Sequence, residues 1–161
     1  MKRQAPEAGF SLIELLIVVT IIGIIASMAI PNLLASRRAA NEGSAQSSLR
    51  TIASAEATYQ VTAGNGQYGT IAMLGSQSMV DSVLASATKS GYSFTLAAGQ
   101  LIPGPPAQYW AYALPVTTSG AGKTGTRRFA ISEDGVLRGD TSLTTAPTDR
   151  AAVGAMSPLG N

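Results

Sequence analysis

Residues 9–31 read GFSLIELLIVVTIIGIIASMAIP, an apolar run interrupted near its start by one carboxylate, Glu14. From Phe10 to Ile30 there are 21 residues, and a helix of that length rises about 30 Å, enough to cross the hydrocarbon core of a bilayer. An acidic side chain at the centre of such a helix would cost about 2.5–3.5 kcal/mol on insertion scales, and less near an interface. Glu14 lies only four residues from Phe10, toward one end of the run. Either it merely reaches the headgroups, or it has a task that justifies its place.

Before the run comes MKRQAPEAG, residues 1–9, a short polar segment whose Lys2 and Arg3 are expected to hold that end in the cytoplasm. The rest of the chain then faces outward. An ordinary secretory signal has an apolar core of roughly 7–15 residues and a cut after small residues beyond it. Ser27-Met28-Ala29 offers such a cut, but the run is too long and the residues beyond it continue in a helical pattern.

The segment GFSLIELLIVV, residues 9–19, resembles the N-terminal signature of type IV pilins and the related pseudopilins. The likeness is close to about residue 32 and looser to about residue 60. It implies a leader of residues 1–9, removed by a membrane prepilin peptidase between Gly9 and Phe10, with methylation of the new N-terminus at Phe10 by the same enzyme. It implies a hydrophobic transmembrane and assembly helix over residues 10–31. Glu14 matches the acidic residue that pairs, in the family, with the N-terminal ammonium of a neighbouring subunit. At about 4 Å and an effective dielectric near 20, such a pair attracts by about 4 kcal/mol before desolvation, enough to disfavour unmatched registers between apolar helices.

Gly23 and Pro31 bracket a weak point of this helix. Glycine lowers local helix stability by about 1 kcal/mol against alanine, and proline removes a donor and crowds the preceding turn. The residues alone allow a simple proline kink, whereas the resemblance implies a segment that extends in filaments.

Residues 32–63 are expected to form an amphipathic continuation. Ala45, Leu49, Ile52, Ala53 and Glu56 recur at three- and four-residue spacing, with Tyr59 following and Arg50 on the other side. Gly64-Asn65-Gly66 is a helix stop. Arg37 and Arg38 read as a solvated or headgroup-facing pair. Residues 64–161 offer a small head for the stripe to cover: a short helix over 79–87, with Met79, Val80, Val83 and Leu84 on one side, then strands over 92–97, 109–114, 128–132 and 136–138. Pro103-Gly104-Pro105-Pro106, residues 119–125 and Asp134-Gly135 mark the turns. The fold class is α+β, a long N-terminal helix packed on a small antiparallel sheet, the arrangement that the resemblance also implies. The tail, residues 141–161, must be held by packing or stay mobile, because the chain has no cysteine to staple it.

The inventory bears on chemistry as well. Without histidine or cysteine, the common Ser-His and Cys-His pairs and the usual zinc sets cannot form, so the chain is not expected to be an enzyme. Gly120-Ala121-Gly122-Lys123-Thr124 ends like a phosphate-binding loop, but Thr117 stands where the first glycine belongs and a strand-like stretch follows; it reads as a hairpin loop. Glu133, Asp134 and Asp140 lack the alternate-residue spacing of a calcium loop. Loss of residues 1–9 leaves nine basic and eight acidic side chains, a balance that does not indicate nucleic acid, and Arg127-Arg128 reads as a solvated strand end. No cofactor or metal is expected.

Three functional classes remain. The first is a structural subunit of a type IV pilus, partnered by copies of itself, by the peptidase and methyltransferase, and by inner-membrane assembly machinery. Its precursor would sit in the inner membrane and its product in an extracellular filament. The second is a pseudopilin of a type II secretion system, periplasmic in its final place, or a minor pilin. The third is a membrane-tethered binding protein that never polymerises.

Overall fold

The computed structural model describes residues 9–98 and 107–159. The chain divides into two compact units, Met1–Ser36 and Arg37–Asn161. Helix α1, Leu12–Val61, contributes to both. Lys2 and Arg3, and the turn at Pro103-Gly104-Pro105-Pro106, lie outside the described residues.

In the second unit α1 shows the expected stripe. Ala45, Leu49, Ile52 and Glu56 are fully buried, Ala53 and Tyr59 pack partly buried beside them, and Arg50 is exposed. The helix ends at Val61, and the amides of Gly64 and Gly66 close back onto the carbonyls of Tyr59 and Gln60. Asn65 and Gly66 take left-handed backbone (φ 47° and 86°), which ends the helix without leaving its last carbonyls unpaired. Glycine is required at position 64 by contact: an added Cβ would stand 2.1 Å from the Gln67 carbonyl oxygen and 2.9 Å from the Tyr59 ring.

The single helix expected over residues 79–87 is corrected. Two short helices form, α2 (Ile71–Ser76) and α3 (Ser82–Ala85). Each begins where a side chain caps it: Thr70 Oγ1 accepts from the Met73 amide at 3.3 Å and Asp81 Oδ1 from the Leu84 amide at 2.7 Å. Met79 and Val80 therefore precede α3. Leu74, Val80 and Leu84 enter the core, Met79 packs against it, and Val83 faces solvent at 53% exposure, against the expectation that it shared their side.

The sheet is a meander in the order β1-β2-β3-β4-β5, every pair antiparallel. Its strands are β1 (Thr88–Lys89), β2 (Tyr92–Ala98), β3 (Tyr109–Pro115), β4 (Arg128–Ser132) and β5 (Arg138–Asp140). β2, β3 and β4 lie where the alternation places them. The strand expected at 136–138 begins only at Arg138, because Asp134 Oδ1 accepts from the Val136 amide and Gly135 (φ 71°) turns the chain, so residues 133–137 make the corner. The two-residue β1 carries no sequence signal of its own.

Alternation gives the sheet two dressed faces. Tyr92, Phe94, Leu96, Tyr109, Ala111, Ala113, Phe129 and Ile131 join the α1 stripe in one core. Trp110, Tyr112 and Ala130 meet Val153 and Met156 on the other side. Those last two come from the tail, which folds as a short helix α4, Arg150–Gly154, capped by Asp149. Beyond it the Gly139 amide donates to the Ser157 carbonyl (3.0 Å) and the Leu159 amide to the Leu137 carbonyl (2.9 Å), so the chain lines the edge of β5. The cysteine-free tail is held by packing, by an Arg150–Glu133 ion pair and by this edge pairing.

Glu42 ties α1 to the connection before β4. One of its oxygens accepts from the amide and hydroxyl of Thr126 (2.7 and 2.6 Å), the other from the Arg127 guanidinium (3.1 Å). Burial alone would raise its pKa, but these hydrogen bonds and the Arg127 charge outweigh it and hold Glu42 below the ordinary carboxylate range. At Gly125, inside that connection, an added Cβ would lie 1.9 Å from the Tyr92 hydroxyl. Arg127 and Arg128, expected as a solvated strand end, are both paired, with Glu42 and with Asp140. Together these features make the α+β arrangement of the pilin fold.

Candidate functional site

The first unit contains the residues to which the sequence assigns processing and assembly. Gly9 and Phe10 precede the helix and are exposed, Phe10 at 81%. Helix α1 starts at Leu12, and Ser11 is its cap: the Ser11 carbonyl accepts from the Leu15 amide. Glu14 reaches back, and its Oε2 accepts from the Ser11 amide at 2.9 Å. This is the carboxylate half of a capping box, and it places a negative charge in the first turn, where the helix dipole favours one. The spacing Ser11-Leu12-Ile13-Glu14 ahead of an apolar run carries that signal, which the reading of Glu14 as an assembly residue passed over.

From Leu12 to Ile30 the large apolar side chains are uncovered on every side of the helix; Leu12, Leu16, Ile22, Ile25 and Met28 are each more than half exposed. This is a helix long and apolar enough to cross a membrane, with no cover from the described residues. The polar side chains within and beside the run turn onto its own backbone. Thr20 Oγ1 donates to the Leu16 carbonyl (2.8 Å), Ser27 Oγ to that of Ile24 (2.7 Å) and Asn32 Nδ2 to that of Met28 (3.1 Å). In hydrocarbon, where no water can substitute, a segment has to satisfy itself in this manner.

Gly23 and Pro31 both lie inside α1, which runs through them as helix. A Cβ at Gly23 would meet nothing within 4 Å, so packing within the single chain does not demand glycine there. Pro31 has no amide, and the carbonyl of Ser27 loses its helical partner. Arg37 is exposed and Arg38 half-buried.

The other candidates separate in space or in role. The loop around Lys123 leads to β4 and not to a helix; Thr124 Oγ1 accepts from the Thr117 amide, which closes the β3–β4 connection as a hairpin. Asp134 is engaged by Arg138 and Asp140 by Arg128, while Glu133 pairs with Arg150. The Arg138 hydrogen bond holds the Asp134 carboxyl well below its usual range, and the Arg128 hydrogen bond lowers that of Asp140.

Comparison with known proteins agrees with the first unit. The family described as the prokaryotic N-terminal methylation motif matches residues 5–30. The type IV wide pilus major component of Thermus thermophilus is 47% identical over 53 residues, 33% of this chain and 40% of that protein. Type II secretion system core protein G of Vibrio cholerae is 34% identical over 61 residues, 38% of this chain and 42% of that protein. The chain thus spans less than half the length of each of these curated relatives. No solved structure matches it. The chain carries the N-terminal signature of the type IV pilin and pseudopilin family. The relatives it resembles are a major component of a wide pilus and a core protein of a secretion system.

Proposed function

We propose that the protein is a structural subunit of a bacterial type IV pilus, made as a precursor and polymerised through α1. In this reading the chain works in four parts: a leader of residues 1–9, an assembly helix of residues 10–31, an amphipathic half over residues 32–63 and a head of residues 64–161. Prepilin peptidase cuts between Gly9 and Phe10 and the new amine of Phe10 is methylated. The precursor waits in the inner membrane, and the product is an extracellular filament raised by inner-membrane machinery.

One observation carries this reading. The apolar half of α1 is uncovered on every face, and its one carboxylate is the fifth residue after the proposed cut. Lipid can cover such a helix, and so can identical helices bundled in a fibre. In a bundle Glu14 would exchange its capping contact with Ser11 for the ammonium of a neighbouring Phe10, and Gly23 and Pro31 would let the helix yield as it leaves the bilayer. Replacement Glu14→Ala is expected to give protein that is still cleaved yet stays in the membrane. Normal filament yield from that variant would remove Glu14 from the mechanism.

A pseudopilin role is the second reading, favoured by the match to core protein G. Deleting the gene separates the two. Loss of surface filaments supports the pilus, and loss of protein export without loss of filaments supports the secretion machine.

A further inference from the structure

The last turns of α1 contain a carboxylate that neither processing nor assembly uses. Glu56 is fully buried. Its Oε2 accepts from the Gly69 amide at 3.0 Å, which ties the loop of residues 64–70 back to the helix. Its Oε1 is buried without any hydrogen-bond partner. Tyr68 from that loop and Tyr109 from β3, their rings 4.7 Å apart, lie within reach of its charge, and Glu133 beyond β4 acts on the same two phenols. Glu133 is taken by Arg150 of α4 and still leaves its own Oε2 unpaired. Asp134, the next acid along, is held by Arg138. Among the described residues no cation pairs with Glu56.

A buried carboxylate beside two phenols, with one oxygen unmatched and no cation partner, is tolerated as the neutral acid and strongly disfavoured as the anion. We propose that Glu56 is a proton-operated latch: the neutral acid is accommodated under the closed loop of residues 64–70, and ionisation, although it would strengthen the Gly69 hydrogen bond, cannot be sustained with Oε1 unpaired away from water and so opens that loop. The latch lies wholly in the second unit and does not depend on polymerisation. Burial raises the Glu56 pKa to about 7, against the smaller lowering by the Gly69 amide, so the latch operates across the range between acid and neutral surroundings. The start of the loop is fixed to α1 by the Gly64 and Gly66 amides, so the part that Glu56 controls is the stretch around Gly69, whose close approach to the Tyr59 ring leaves little room for a side chain.

Hydrogen exchange of the full chain in detergent micelles tests this, with the Gly69 rate divided by its intrinsic rate at each pH. Protection is expected to fall by up to about tenfold per pH unit from roughly pH 4.5 to 7 and to level off above, as one proton lost on opening requires. The Phe94 amide, which donates to the Ala87 carbonyl, is expected to stay protected across the same range. Glu56→Gln is expected to abolish the Gly69 slope. A flat wild-type profile, or an unchanged slope in the glutamine variant, overturns the latch. The carbon-13 shift of the Glu56 carboxyl in the unmutated chain provides a reading that no folding defect can spoil. A midpoint near 7 supports the latch, and one near the ordinary 4.5 overturns it.

Discussion

The two halves of α1 are one helix under opposite conditions. Between residues 12 and 30 apolar side chains point in every direction and none of the large ones is buried. Between residues 42 and 59 the apolar side chains keep to one stripe, and the sheet covers it. The same contrast runs through the acids. Glu14 is exposed and answers only to its own first turn, whereas Glu42 is fixed from across the fold by Thr126 and Arg127. The second half has its partner in the chain, while the first has none among the described residues.

Breaking the covered half should give the largest effect. Leu49→Ala removes a fully buried side chain and is expected to cost about 2–5 kcal/mol of head stability. Leu16→Ala, in the uncovered half, should leave the thermal midpoint of the head unchanged. Paired melting curves of the two variants in the same detergent check this, and equal losses would erase the distinction.

Next in size is the pH response, in which two acids of the covered half oppose each other. Glu56 has a raised folded pKa, so its contribution is fully present below about 4.5 and is lost as pH rises toward 7. The loss is at most about 3–4 kcal/mol, from a shift of two to three units at about 1.4 kcal/mol each. Glu42 has a lowered folded pKa, so its contribution is present above 4.5 and is lost as pH falls through that lowered value. Denaturant titrations of the wild type, Glu56→Gln and Glu42→Gln between pH 3 and 8 should therefore flatten the profile on the neutral side in the first variant and on the acid side in the second.

The tail should give a smaller loss. Val153→Ala removes two buried methyl groups, expected to cost about 1.5 kcal/mol, and it loosens the cover over Trp110, the chain's one tryptophan. Fluorescence emission should shift to the red. Unchanged emission would mean that α4 does not shield that face.

Smallest is Gly23→Ala, which meets no obstacle in the single chain and should strengthen the uncovered helix by about 1 kcal/mol. Exchange of amides around residue 23 in micelles should slow by about fivefold. If this stiffer helix also lowers filament yield, the proposed yielding of the segment between Gly23 and Pro31 gains support.

Sequence and structure agree best where a period is long and its partner is near. Leu49, Ile52 and Glu56 announce their stripe, and the alternating YWAYALP of β3 announces its two faces. What the sequence hides is decided by single side chains. Asp81 starts α3 later than its apolar spacing suggests, and Asp134 pushes β5 toward the tail by capturing the Val136 amide. The tail looks like loose Ala, Thr and Pro, and only the apolar face left open by Trp110, Tyr112 and Ala130 gives Val153 and Met156 a place. The local task of Glu14 was legible as a capping spacing, but a transmembrane reading draws attention to its charge instead. The depth of Glu56 could not be read from its place in the stripe, since its isolation depends on what β3 and the loop of residues 64–70 set around it.

The most direct test of the central claim, that the uncovered half of α1 is freed by processing for assembly, is the intact mass and N-terminal sequence of the protein isolated from its native cells. The account predicts a chain that begins at Phe10 with a methylated amine. A chain that begins at Ile30, with the apolar run removed, would contradict it.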